Sequence, residues 1–383
     1  MKRILIMAII ACMILLPYHT VLAENVTMSQ ESAFKAAVLI EAKTGTRLWE
    51  KNADEGLAVA GLCKLPAILT LAQSMDDGTL SSSATIRVSQ RAASVSGPTA
   101  FLEASEDIDA AALMKAAVMI SAGDAITALG ETAYGSESVF CANINVTLQQ
   151  LGVSSTLTDS LGSTARFSAY ELALLGMAAA DSGTFSKYSA LYLDEIVHTG
   201  ERKTELVNAN RLLNNYAGCA GLLTGSSQTD GYCGVFSASR NGTTFIAVII
   251  GAESAAIRTA AATELLDYGF ANFRLMTLAQ EGEVFAAELA VRDGDLKSVN
   301  LVAANRVDEV VHTQDGALTK RVNAPEHLEA PFDTNTVLGS VDFLDSSGNE
   351  VLSIPLYASS AVRAFGVKDI ILRILLAFIG LPA

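Results

Sequence analysis

The sequence predicts an α/β fold: an α/β sandwich followed by a small all-β domain and a C-terminal amphipathic helix. Three observations lead there. Between residues 36 and 269, apolar positions alternate as in strands in some stretches and recur at helical spacing in others. From about residue 278 the pattern changes to short strand-like runs separated by Gly, Asn and Asp. The last 23 residues are apolar but interrupted by charge.

Residues 36–50 read as a hairpin, two apolar runs flanking Lys43-Thr44-Gly45 with glycine placed for the turn. Leu65, Ile68, Leu69 and Ala72 then share one helical face, and Pro66, tolerated only in a first turn, puts the helix start near Gly61. Helical spacing returns over 108–120, with an apparent continuation over 124–133, and again over 168–182. Two strands, 231–239 and 243–250, flank Arg240-Asn241-Gly242, and Asn-Gly favours the positive-φ turn of a tight hairpin. A helix over 254–269 closes this half. The β-module follows, with strand-like runs at 284–291, 297–304, 307–313, 336–343 and 350–356.

The ends set the compartment. Lys2 and Arg3 precede an apolar run from Ile4 to Leu16, and Val21-Leu22-Ala23 supplies a small-residue cleavage pattern. That run is short for a membrane span, so residues 1–23 read as a cleaved secretory signal, an uncleaved N-terminal anchor being the alternative. Either way the remainder is exported. Losing Lys2 and Arg3 takes the formal charge from −15 (26 basic, 41 acidic) to −17 (24 basic, 41 acidic). An acidic body of this kind excludes nucleic acid and anionic lipid as partners. At the other end, Arg373 leaves too few apolar residues after it to span a bilayer. An amphipathic helix at the membrane interface fits 361–383 better, a terminal helix docked on the protein being the alternative.

Cys12 leaves with the signal. Cys63, Cys141, Cys219 and Cys233 form no C-x-x-C pair, and His19, His198, His312 and His327 are scattered, so neither a metal site nor a cofactor is expected. Cys219 and Cys233 are the pair whose separation permits a disulfide. Buried free thiols are the default.

The order of parts, with the stretches 37–55, 99–125, 208–233 and 264–270, resembles the penicillin-binding D-alanyl-D-alanine carboxypeptidases that trim peptidoglycan. The resemblance implies a β-lactamase/transpeptidase-like domain over 24–275, a β-rich domain over 276–358 and a membrane-anchor helix over 359–383. It also implies three motifs. In the first, S-x-x-K, a serine at a helix start attacks the peptide carbonyl and a lysine one turn on takes its proton. Here it reads Gly61-Leu62-Cys63-Lys64, with glycine in the nucleophile's place. The second, S-x-N, reads Ser121-Ala122-Gly123, so Gly123 replaces the asparagine that orients the substrate amide. The third, K-T-G, reads Leu223-Thr224-Gly225 followed by Ser226; the lysine that attracts the substrate carboxylate is leucine.

On this resemblance Lys64 and Ser121 are retained catalytic remnants, and Thr224, Gly225 and Ser226 are the substrate-binding edge. The implied function is a non-catalytic wall-side protein that binds peptidoglycan stem peptides or a protein partner. A weak or altered D-Ala-D-Ala carboxypeptidase is the alternative. The triple change Gly61→Ser, Gly123→Asn and Leu223→Lys is expected to rebuild the chemistry in an intact fold. Cys63 lies about 100° round the helix from Lys64 and reads as a packed thiol rather than a substitute nucleophile. Ser121 lacks a helix N-terminus and backbone donors for an oxyanion. Ser32-Ala33-Phe34-Lys35 repeats the S-x-x-K spacing but precedes a strand, a match expected by chance.

Overall fold

Apolar residues on both faces of a strand require cover on both faces, and the central sheet of this protein meets that requirement. In the computed structural model, which describes residues 28–366 together with 371 and 375, five antiparallel strands form it. Their order is Arg47–Lys51, Ala36–Glu41, Thr243–Ala252, Gly231–Arg240 and Cys219–Ser227. Along Ala36–Glu41, Ala36, Val38 and Ile40 enter one core, while Ala37 and Leu39 enter the other. The first core is roofed by helices Leu65–Asp76, Ala110–Ile120, Gly123–Tyr134, Glu137–Gln150 and Ala169–Asp181. The second lies under helix Ala255–Asn272. This is the sandwich expected from the sequence.

Local chemistry sets the boundaries. Ser168 caps helix Ala169–Asp181 in a reciprocal capping box with Glu171. Ser254 accepts from Ile257 N–H at the head of Ala255–Asn272. Asn241 and Gly242 take φ of 51° and 80°, as the tight hairpin requires. The apparent continuation from 108–120 into 124–133 is broken instead at Ser121, which takes φ 54°, ψ 40° and ends the first helix.

Beyond Ala255–Asn272, strand Phe273–Ala279 pairs with Val307–His312, so the 275/276 boundary falls inside a strand. A six-stranded sheet then encloses its own core around Leu301, Val341, Phe343 and Leu356. The two units are joined by the ion pair Lys43–Asp308 (2.6 Å) and by Leu275 N–H donating to Thr243 Oγ1 (2.9 Å).

Within the β-module Asp342, nearly buried, accepts from Ser353 Oγ (2.7 Å), from the Arg321 guanidinium (2.8 Å) and from Asn323 Nδ2 (2.6 Å). Those bonds, led by Ser353, hold its carboxyl down from an ordinary 3.8 to about 2. A depressed carboxyl stabilises the fold above its unfolded value and loses that contribution as pH falls through the folded one. Asp342→Asn is therefore expected to flatten the acid side of a melting-temperature profile between pH 4 and pH 2. A profile as steep as the parent's would contradict this.

Residues 1–23 and most of 361–383, read as the leader and the amphipathic helix, lie outside the described residues. No helix among the described residues is long and apolar enough to cross a membrane.

Candidate functional site

The residues singled out from three separate stretches converge at one end of the sheet. Gly61 lies in a single 3-10 turn, Ala60–Lys64, that runs into helix Leu65–Asp76. Lys64, at the end of that turn and 8% exposed, donates from Nζ to the carbonyl oxygen of Ser121 at 2.8 Å. The left-handed turn at Ser121 is what presents that carbonyl, and Gly123 begins the next helix beside the same ammonium. Desolvation pushes the Lys64 ammonium below its ordinary value, opposed at neutral pH by the nearby Asp124 carboxylate.

Strand Cys219–Ser227 is the sheet's edge and packs against the Ala60–Lys64 turn. A Cβ built on Gly225 would lie 2.6 Å from Gly61 N and 2.8 Å from Gly61 Cα. Two glycine backbones therefore meet where a side chain at 225 would stand. Thr224 is half-buried and Ser226 exposed. Leu223 is 2% exposed and belongs to the larger core, because the distortion at Gly221 and Leu222 (φ 91° and 98°) turns it inward.

This geometry corrects one expectation. Gly61 has room, since a Cβ there would meet Gly225 Cα at 3.4 Å, an ordinary contact. Gly123 has none: its Cβ would fall 2.7 Å from Val95 Cγ1. Leu223 offers a core position to which a lysine is unsuited. The triple change therefore does not fit the fold as it stands.

Cys63 is half-buried with its thiol against the Leu161 carbonyl (3.2 Å), and burial pushes it up to about 11. Cys219 and Cys233 are both free thiols. They stand at opposite ends of one strand pair, Cys219 facing Ala238 and Cys233 facing Gly225, so no disulfide joins them.

Sequence reasoning missed Asp124. Its carboxylate, 1% exposed, accepts from the N–H groups of Ala100 (2.9 Å), Leu102 (3.1 Å) and Ala125 (2.8 Å). It thereby pins the 98–102 loop beside the site and holds Phe101 at φ 59° with its ring exposed. An acid in the first turn of a helix just after the second motif was the available signal.

Comparison with known proteins fits this architecture. Residues 23–254 match the family model described as D-alanyl-D-alanine carboxypeptidase, and residues 273–364 match that of the penicillin-binding protein 5 C-terminal domain. The chain is 29% identical over 340 residues to the D-alanyl-D-alanine carboxypeptidase DacF of Bacillus subtilis, covering 87% of this chain and 86% of the relative. It is 26% identical over 358 residues to DacC of Escherichia coli, covering 90% and 88%. The crystal structure of penicillin-binding protein 5 from Haemophilus influenzae superposes with a TM-score of 0.76 at 24% identity, over 86% of this chain and 98% of that one. This likeness shows a penicillin-binding-protein-like α/β fold with a C-terminal all-β domain. The chain belongs to the D-alanyl-D-alanine carboxypeptidase family.

Proposed function

We propose that this protein is a non-catalytic member of its family, one that binds peptidoglycan stem peptides at the bacterial cell wall without cleaving them. One observation carries the reading: Gly61, three residues before Lys64 in the same turn, has no side chain, and the Gly225 backbone lies against it. Chemistry at this place needs a nucleophile beside a base, and glycine has nothing to acylate. The retained Lys64 is bound to a main-chain carbonyl, where it serves as a post between the first and second motifs. The alternative of a weak hydrolase would need a substitute nucleophile. Cys63 is a poor one, because a thiol raised to about 11 holds little thiolate at neutral pH. Ser121 sits in a left-handed turn whose carbonyl already occupies Lys64. Export by the 1–23 leader and attachment through 361–383 belong to the same reading, which places the protein on the outer face of the cytoplasmic membrane.

The test is release of D-alanine from a peptide ending in D-Ala-D-Ala. Removing the nucleophile from a serine hydrolase costs about 10⁶-fold in turnover, so release is expected to equal the buffer blank. Turnover above the blank that disappears in Lys64→Ala would overturn the proposal.

A further inference from the structure

The edge strand Cys219–Ser227 does not stop at the converged residues. Past Ser226 it opens into a recess of about 600 Å³ that none of Gly61, Lys64 or Ser121 lines. The Gly231 and Gly251 backbones shape its floor, both at positive φ. A Cβ on Gly231 would fall 2.7 Å from the Ala252 carbonyl oxygen, and one on Gly251 would fall 2.7 Å from Lys35 Cδ, so the lysine stem lies directly on bare backbone. The walls carry one cation, Lys35, two carboxylates, Asp230 and Glu253, and the hydroxyl-bearing turn 226–229.

Three properties of this recess bear on what it takes. Its size suits a small ligand, and its wall, a little more apolar than polar, carries three charged side chains, unlike the pockets that hold drug-like molecules. Its charges are mixed yet uncollapsed: none of Lys35, Asp230 and Glu253 has an ion-pair partner among the described residues. A simple anion would meet two carboxylates and an acidic body, and a simple cation would meet Lys35. A molecule bearing both charges satisfies all three groups. The recess also continues an edge strand, whose outward main-chain groups can pair with an extended peptide and lead its end inward.

We propose that this recess binds the zwitterionic end of an amino acid or short peptide, its carboxylate at Lys35 and its ammonium at Asp230 and Glu253. The ligand is a free amino acid or dipeptide and goes beyond the stem peptide of the proposed function, whose C-terminal residues carry an acylated nitrogen and so lack the ammonium.

The experiment is a calorimetric titration of the full mature chain with D-alanyl-D-alanine, its N-acetyl derivative and its C-terminal amide. The free dipeptide is expected to bind at least tenfold more tightly than either capped form. Lys35→Met, which keeps the stem on Gly251, is expected to weaken the free dipeptide at least tenfold and to bring it level with the amide. Lys35→Arg should retain the discrimination. Asp230→Asn combined with Glu253→Gln should bring the free and N-acetyl forms level. No binding of the free dipeptide, equal binding of all three probes, or binding unchanged in Lys35→Met would each overturn the recess. None of these results bears on D-alanine release, so failure here is distinct from failure of the non-catalytic reading.

Discussion

The combined change Gly61→Ser, Gly123→Asn and Leu223→Lys is expected to leave the protein unreactive towards penicillin and to lower its melting temperature by roughly 10–20 °C. Gly61→Ser alone should fold like the parent, because the turn has ordinary contact distance to spare. The other two changes carry the loss. An asparagine at 123 places its first carbon 2.7 Å from Val95 Cγ1, on a β-branched side chain with little freedom to turn away. Overpacking of this kind costs about 1–3 kcal/mol. At 223 the lysine would replace a core leucine on a strand already bent inward at Gly221 and Leu222. Burying that ammonium without a partner costs several kcal/mol, or drives it neutral and useless for attracting a carboxylate. A triple variant that melts like the parent and takes up labelled penicillin would show that the site is disarmed but still open.

Gly225→Ala should lower stability by about 2–3 kcal/mol, near the top of the overpacking range, while Gly61→Ala stays within about 1 kcal/mol of the parent. The two glycines face each other, yet the consequences are unequal. The Cβ added at 225 runs into main-chain atoms, Gly61 N at 2.6 Å, Gly61 Cα at 2.8 Å and Leu62 N at 3.1 Å. None of these can rotate aside. The Cβ added at 61 meets only Gly225 Cα, at 3.4 Å. For a domain of this size, the first should appear as a fall of roughly 5–10 °C in the first melting transition. Equal melting of the two variants would mean that the strand stands further from the turn.

Much of this was legible in the sequence where a local rule has one outcome. Asn241-Gly242 indicated a hairpin, the apolar spacing over 168–182 a helix, and the pattern from about 278 a β-module. Helix Glu137–Gln150 was missed because Val, Ile, Thr and Asn dilute both its propensity and its apolar face. The hairpin of Leu193–Val197 and Lys203–Val207 was missed because its outer row mixes Leu193, Val197 and Val207 with Lys203 and Glu205.

The candidate site divides the same way. Its members were readable from three short motifs, and they do converge. That Gly225 lies on Gly61, that Leu223 faces the core and that Asp124 ties down 100–102 depends on strands and loops brought together from distant parts of the chain. No spacing along the sequence encodes those contacts.

The most direct test of the central claim is intact mass spectrometry of the full mature protein after incubation with benzylpenicillin. A penicillin opened by an enzyme nucleophile stays attached as an acyl group and adds its mass one for one. The protein is expected to keep its unmodified mass at every time point, as Lys64→Ala does. A stoichiometric adduct that forms on the parent but not on Lys64→Ala would contradict the account and show that a nucleophile still works in this groove.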